Sequence, residues 1–181
     1  SQPSSGLVRL NFMWRYKFMN SRKLDYKALI AEFIGTFALI FIGVSTIAAS
    51  EISQGSAGLV GIAFGHGLTI AVMVSATAAI SGGHLNPAVT FGAWLARKIN
   101  SRNALGYVAA QCLAAVLAAS LVNLTVPHAV LEKIAMGTPA PGSGVPASMA
   151  LTMEIILTFF LVFVVFGTAI DGRAPKVGGL F

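Results

Sequence analysis

Charged residues are scarce in this sequence, and cysteine is almost absent. Only 10% of the 181 residues are charged, against roughly 25% in ordinary soluble domains. Hydrophobic residues make up 56% of the chain, and the mean hydropathy is +0.80. This composition leaves too little polar surface to cover a soluble globule. The single cysteine, Cys112, excludes an intrachain disulfide. The composition therefore predicts an integral membrane protein.

The apolar residues occur in blocks long enough to cross a bilayer, which requires about 20 residues each. Four such blocks lie at about 28–49, 57–80, 103–126 and 148–170. They predict an all-α, multi-pass membrane protein, with residues 1–27 as a cytoplasmic tail and residues 28–181 as the transmembrane domain. Segment 81–96 is apolar, but it is too short and too interrupted by glycine, histidine and proline to be a fifth span.

The basic residues test this layout. If segment 81–96 enters the membrane and returns to the same side, eleven of the twelve Lys and Arg residues lie on one face and only Lys133 on the other. Such asymmetry is what the positive-inside rule produces, and it predicts a cytoplasmic N-terminus in a plasma or inner membrane. The basic residues lie between apolar blocks and form no patch on a polar domain, so they give no indication of nucleic-acid binding.

A short internal repeat links the first and fourth spans. Both carry the pattern E-x-x-x-T-F, beginning at Glu32 and at Glu154. A carboxylate early in a span is costly and usually functional. Three spans precede the second copy, so the two copies run in opposite directions across the membrane. This is the inverted-repeat plan of many channels and transporters.

Segment 81–96 has the features of a re-entrant half-helix. Asn86 is a favoured N-cap and Pro87 suits the first helical position. A helix from Pro87 to about residue 96 is roughly 15 Å long, about half the ~30 Å hydrocarbon core. We expect Gly82 and Gly83 to let the preceding backbone run extended. The carbonyls that would then line a narrow path belong to Gly82, Gly83, His84 and Leu85. The alternative is a re-entrant loop that only packs.

The sequence ISGGHLNPAVTFG at 80–92 is very similar to the first signature loop of the aquaporins, or major intrinsic proteins, whose hallmark is Asn-Pro-Ala, here Asn86, Pro87 and Ala88. Segment 31–37 resembles the first helix of that family. Tyr107 to Gln111 resembles its third helix, although Ala114 stands where glycine is common, and Glu154 opens the fourth.

This resemblance implies an aquaporin-like bundle of six helices with two half-helices meeting at the midplane, usually assembled as a homotetramer. Only four spans and one half-helix are present here, so we expect the natural protein to continue past residue 181 with helix five and a second loop. The resemblance also implies that Glu32 and Glu154 are buried and accept hydrogen bonds from the re-entrant backbones. Alternatively, they are structural carboxylates without a transport role. Gln111 is interpreted as a buried packing and hydrogen-bonding residue, and the alternative is an element of the selectivity filter.

The family's narrowest constriction takes one residue from helix two, and an ungapped count back from Asn86 places it at His66. Water-selective members usually have Phe there and glycerol facilitators Trp, whereas His resembles the tonoplast and ammonia-permeable members. A neutral imidazole would give a smaller, more polar wall. The alternative is a histidine that packs against a neighbouring helix.

The resulting functional hypothesis is a passive channel for water and small neutral solutes such as ammonia and glycerol. The alternative is a non-conducting adhesion or scaffold protein of the same fold. An enzyme is disfavoured, because Glu32, Glu154, His66 and His84 show neither metal-ligand spacing nor a nucleophile with a partner base. No metal or cofactor is expected.

Overall fold

The computed structural model describes residues 24–170. Within that range all regular secondary structure is helical, and four helices are long and apolar enough to cross a membrane. In chain order the helices are α1 (Tyr26–Ile52), α2 (Gly58–Thr77), α3 (Pro87–Leu95), α4 (Ser101–Thr125), α5 (His128–Lys133) and α6 (Ala147–Val165). The last helix continues as a π-helical turn, Phe166–Ile170. The predicted all-α membrane fold with four spans is confirmed.

Two of the four long helices, α1 and α4, begin at a side-chain N-cap. The side chain of Asp25 accepts hydrogen bonds from the N–H groups of Lys27 and Ala28, at 3.0 and 3.3 Å. The side chain of Asn100 accepts one from the N–H of Asn103 at 2.9 Å at the start of α4. Each cap satisfies amides that have no partner inside the helix.

The predicted tail, residues 1–27, lies largely outside the described residues, as do the basic residues after the fourth span.

Helix α1 lies at the centre of the described bundle, against α4 on one side and α2 on the other. Its buried face carries small residues that allow close approach. A Cβ added at Gly43 would lie 2.5 Å from Nε2 of His66 in α2. On α4, the buried face includes Ala114 and Ala118, both 0% exposed. Small side chains therefore set the spacing of these three helices.

Helix α6 is attached differently, because among the described residues it packs mainly against the short helix α3. A Cβ added at Gly92 of α3 would lie 3.1 Å from Cγ1 of Val162. None of the described residues of α6 is buried. The half-helix α3 therefore bridges α4 and α6.

The segment between α4 and α6 contains two short helical elements. After Pro127 it forms α5 and then a short 3₁₀ turn, Ala135–Gly137. Leu131 of α5 is 1% exposed, and Lys133 Nζ lies 3.1 Å from Glu51 Oε1 at the end of α1. A buried leucine and an ion pair therefore attach this segment to α1.

Candidate functional site

The short helix α3 begins at the predicted residue. Asn86 has extended backbone, and its Oδ1 accepts a hydrogen bond from the N–H of Ala88 at 2.7 Å, with Pro87 at the first helical position. The helix has nine residues, which makes it about 14 Å long. The Asn86 side-chain oxygen is therefore used in the cap, while its NH₂ group has no partner among residues 24–170.

The loop that precedes α3 is held by one buried carboxylate. Glu32 of α1 is 0% exposed and accepts four hydrogen bonds. Its Oε1 accepts from the hydroxyl of Ser81 at 2.6 Å and from the N–H of His84 at 2.9 Å. Its Oε2 accepts from the N–H of Leu85 at 2.6 Å and from Nε2 of Gln111 at 2.8 Å. Each oxygen thus takes one backbone donor and one side-chain donor, which fills the acceptor sites of an ionised carboxylate.

A second set of hydrogen bonds ties the same loop to α3 and α4. Nε2 of Gln111 also donates to Oγ1 of Thr90 at 3.1 Å, and Thr90 Oγ1 lies 3.2 Å from Nδ1 of His84. The hydroxyl of Tyr107 donates to the carbonyl of Ser81 at 2.8 Å, and its ring meets the His84 ring edge-on at 5.2 Å. All five side chains are at least nine-tenths buried. The loop is therefore held from two helices in addition to α1.

The backbone of the loop differs from the predicted extended form. Gly82 and Gly83 have φ values of +93° and +63°, and Leu85 has a φ of +50°. The left-handed region suits glycine because it has no Cβ. The chain leaves α2 through hydrogen bonds that the N–H groups of Ser81 and Gly82 donate to the carbonyls of Thr77 and Ala78, and it must then reverse before it reaches Asn86.

The four carbonyls predicted to line a path are not equivalent. The carbonyl of Leu85 accepts a hydrogen bond from the hydroxyl of Thr36 at 3.2 Å. The carbonyls of Gly82, Gly83 and His84 accept none from the part of the chain that the structure describes. Three acceptors are therefore left for a solute or water, and the pore-lining role of all four stays a prediction.

His66 lies on α2 at the interface with α1. Its Nδ1 is 2.9 Å from the carbonyl oxygen of Ile62. Because a carbonyl can only accept, this nitrogen carries the proton, and in a neutral ring Nε2 is then an acceptor. The ring packs against Gly43 and is half-buried. Both the packing and the partial exposure suit a residue at the edge of a solute path through the membrane. The role of His66 in the constriction stays a prediction.

The sequence that forms this site matches the model of a known protein family. The model of the family described as Major intrinsic protein matches residues 19–181. The chain belongs to the major intrinsic protein family. It is 40% identical over 156 residues to probable aquaporin PIP2-8 and 42% identical over 156 residues to aquaporin PIP2-7, both of Arabidopsis thaliana. It is also 41% identical over 159 residues to aquaporin TIP1-2 of Zea mays.

The alignments cover 83–85% of this chain but only 55–59% of the relatives. The chain therefore spans a little over half the length of the major intrinsic proteins that it matches. The four apolar helices and the family together identify an integral, multi-pass membrane protein.

One site expectation for this major intrinsic protein needs correction. Glu154 was predicted to be buried, but in the structure it is exposed. The reason is that α6 packs mainly against α3, so no described element covers its Glu154 face. A role for Glu154 in hydrogen bonding to a loop stays a prediction.

Sequence reasoning also missed members of the site. Ser81, Thr90 and Tyr107 were not singled out for this network, and Thr36 was noted only as part of the repeat. The E-x-x-x-T pattern contained a signal for Thr36, because residues four apart lie on one helix face. Tyr107 and Gln111 have the same spacing. Each pair converges on the loop before α3.

Proposed function

We propose that the natural protein is a passive channel for water and small neutral solutes. The observation that carries this proposal is the Asn86-capped half-helix α3, whose preceding loop is held by the buried Glu32 carboxylate. The major intrinsic proteins that the chain resembles are named aquaporins. Because the chain spans only part of their length, the activity is proposed for the full-length protein.

The chemistry of the α3 N-terminus suits neutral solutes. Aligned peptide dipoles place roughly half a positive charge at the first turn. That charge repels cations and protons in a narrow pore, while neutral molecules can pass. The free NH₂ group of Asn86 can donate to a water oxygen, and the loop carbonyls of Gly82, Gly83 and His84 can accept from its hydrogens. A file of waters would therefore find donors and acceptors along this path.

The proposed orientation has the N-terminus in the cytoplasm. Eleven of the twelve Lys and Arg residues then lie on the cytoplasmic face, as the positive-inside rule favours. Lys133, on the other face, is paired with Glu51. We further propose a homotetramer with one pore in each subunit, on the strength of the family alone.

The proposed constriction includes His66, whose half-buried ring lies between α1 and α2. A ring smaller than Trp and more polar than Phe favours water and ammonia over glycerol. We propose that discrimination at this position depends on the size and polarity of the imidazole ring, whose Nε2 edge packs against Gly43 of α1.

The decisive experiment measures water flux in vesicles that contain the complete gene product. Stopped-flow light scattering should show faster shrinkage than protein-free vesicles of the same lipid. If the purified, folded protein left the vesicles no more permeable than lipid alone, the channel would be rejected in favour of a non-conducting scaffold.

A charge substitution tests the mechanism. Asn86→Asp keeps a capping oxygen, since Asp and Asn are about equally good caps. It also adds a negative charge where the helix end is positive. We expect the variant to fold and to leak protons or cations. The matched control is Asn100→Asp, which changes the cap of α4 in the same way but lies outside the loop. Equal ion leak in both variants would contradict the proposed exclusion mechanism.

A further inference from the structure

The half-helix α3 ends at an unusual residue. The N–H of Arg97 donates to the carbonyl of Trp94 at 2.9 Å, and the N–H of Lys98 donates to the carbonyl of Ala93 at 2.8 Å. These two bonds form a common helix-ending motif, in which the left-handed residue is usually glycine. Here that residue is Arg97, with a φ of +56°. Because a side chain is unfavourable in this region, the backbone geometry does not explain the arginine.

The side chain of Arg97 is exposed, and it makes no ion pair or side-chain hydrogen bond within residues 24–170. Asp25, an acidic residue at the same end of the bundle, already accepts two hydrogen bonds in the cap of α1. The other basic residues at this end are Lys27, Lys98 and Arg102. The described residues at this end of the bundle therefore carry an excess of positive charge.

Arg97 adjoins an exposed aromatic surface. Together with Trp94 and Leu95 it lines a shallow surface pocket, and these two apolar side chains are 39% and 61% exposed. Nε1 of Trp94 donates to Oγ of Ser101 at 3.0 Å, and the Phe91 ring lies 5.7 Å from the Trp94 ring. The polar atom of the indole is thus satisfied and the ring is fixed between α3 and α4, while part of its apolar surface stays open.

The position of this pocket suits the membrane interface. With Asn86 near the midplane, as proposed, the end of α3 lies about 14 Å away, close to the edge of the ~30 Å hydrocarbon core. Tryptophan favours this level, where its ring contacts lipid at the depth of the headgroups. In the proposed orientation the pocket faces the cytoplasmic leaflet, which contains anionic lipids.

We propose that Arg97 and Trp94 bind an anionic phospholipid. The guanidinium pairs with the phosphate through two parallel hydrogen bonds, a geometry that lysine cannot provide. Trp94 and Leu95 contact the glycerol backbone and the upper part of an acyl chain. The excess of positive charge favours an anionic over a zwitterionic lipid. The choice of leaflet rests on the proposed orientation, but the site does not depend on conduction.

The first test measures contact between Trp94 and lipid in the complete protein. Vesicles of phosphatidylcholine contain a small fraction of brominated phosphatidylserine or, in parallel, of brominated phosphatidylcholine, and bromine quenches the fluorescence of a tryptophan that it touches. The difference between wild type and Trp94→Phe isolates the Trp94 signal. We expect the anionic lipid to quench this signal more strongly. Equal quenching by both lipids would overturn the proposal, as would no quenching by either because a later part of the chain covers Trp94.

The second test compares two charge removals at the same end of the bundle. Arg97→Gln should weaken the preference for the anionic lipid about fivefold, the factor that one basic residue near an anionic surface contributes. Lys27→Gln is the matched control, because Lys27 is exposed and lies outside the pocket. Equal losses in both variants would show diffuse attraction to the surface and overturn the assigned site.

Two further measurements keep the outcome clear. If Arg97→Gln does not fold, Arg97→Gly replaces it, because glycine suits the left-handed backbone. Water flux is recorded on wild-type vesicles of the same lipid. Loss of the lipid preference with normal flux would refute the lipid site alone, whereas a clear lipid preference without flux would refute the proposed channel alone.

Discussion

Replacing Glu32 by glutamine tests the loop anchor with almost no change in shape. Each Glu32 oxygen accepts one backbone N–H, from His84 or from Leu85. Whichever way the new amide faces, one of these N–H groups meets an NH₂ group and loses its acceptor. The side-chain donors, from Ser81 and Gln111, can rotate, but the backbone donors cannot.

The expected cost follows from this geometry. One buried, unpaired N–H costs about 1–3 kcal/mol, and losing the charge on the remaining acceptor adds to it, so we expect roughly 2–4 kcal/mol for Glu32→Gln. For a domain of 150–250 residues 1 kcal/mol lowers Tm by about 2–4 °C and for a longer protein by less, which predicts a fall of up to roughly 5–15 °C. Glu32→Ala leaves all four donors unpaired and should cost several kcal/mol more.

The assay is thermal unfolding of the purified full-length protein, with water permeability measured on the same preparations. Glu132→Gln is the control, because Glu132 is 69% exposed and its only described ion pair is with His128 at 3.5 Å. An exposed pair contributes about 0–1 kcal/mol. If Glu32→Gln unfolded within about 1 °C of the wild type, the buried carboxylate would not be the anchor we describe.

Substitutions at three further positions test the helix interface and the site. His66→Phe should favour water over ammonia and His66→Trp should favour glycerol; equal solute ratios in all three proteins would rule out a constriction role. Gly43→Ala should displace the His66 ring, at a cost of about 1–3 kcal/mol, and change the same ratios, whereas Gly67→Ala, where an added Cβ meets nothing within 4 Å, should leave them unchanged. Tyr107→Phe leaves a buried carbonyl unpaired and should lower stability by about 1–3 kcal/mol in thermal unfolding; an effect no larger than that of the exposed Tyr26→Phe would refute this.

Much of the helical architecture could be predicted from local chemistry. The half-helix was expected from Pro87 to about residue 96, and it runs from Pro87 to Leu95 with its cap at Asn86. The caps and the length of an apolar block are properties of neighbouring residues, so they can be recognised without knowledge of the fold.

The partners of Glu32 could not be predicted in the same way. Its donors Ser81, His84 and Gln111 are 49, 52 and 79 residues away in the chain. Which donors meet a carboxylate depends on how α1, α4 and the loop pack together. The left-handed turn at Gly82 and Gly83 has the same origin, because its direction depends on where the loop must go next.

The two copies of the E-x-x-x-T-F pattern show most clearly which properties depend on the local sequence and which depend on tertiary packing. The sequence alone determined that Glu32 and Glu154 each lie early in an apolar helix, because hydropathy and spacing are local. Only the tertiary structure decided that Glu32 is enclosed and fully hydrogen-bonded while Glu154 is exposed in the described chain. The physical reason is that burial of a side chain depends on the elements packed over it: α1 is covered by α4 and the loop, whereas α6 packs mainly against α3.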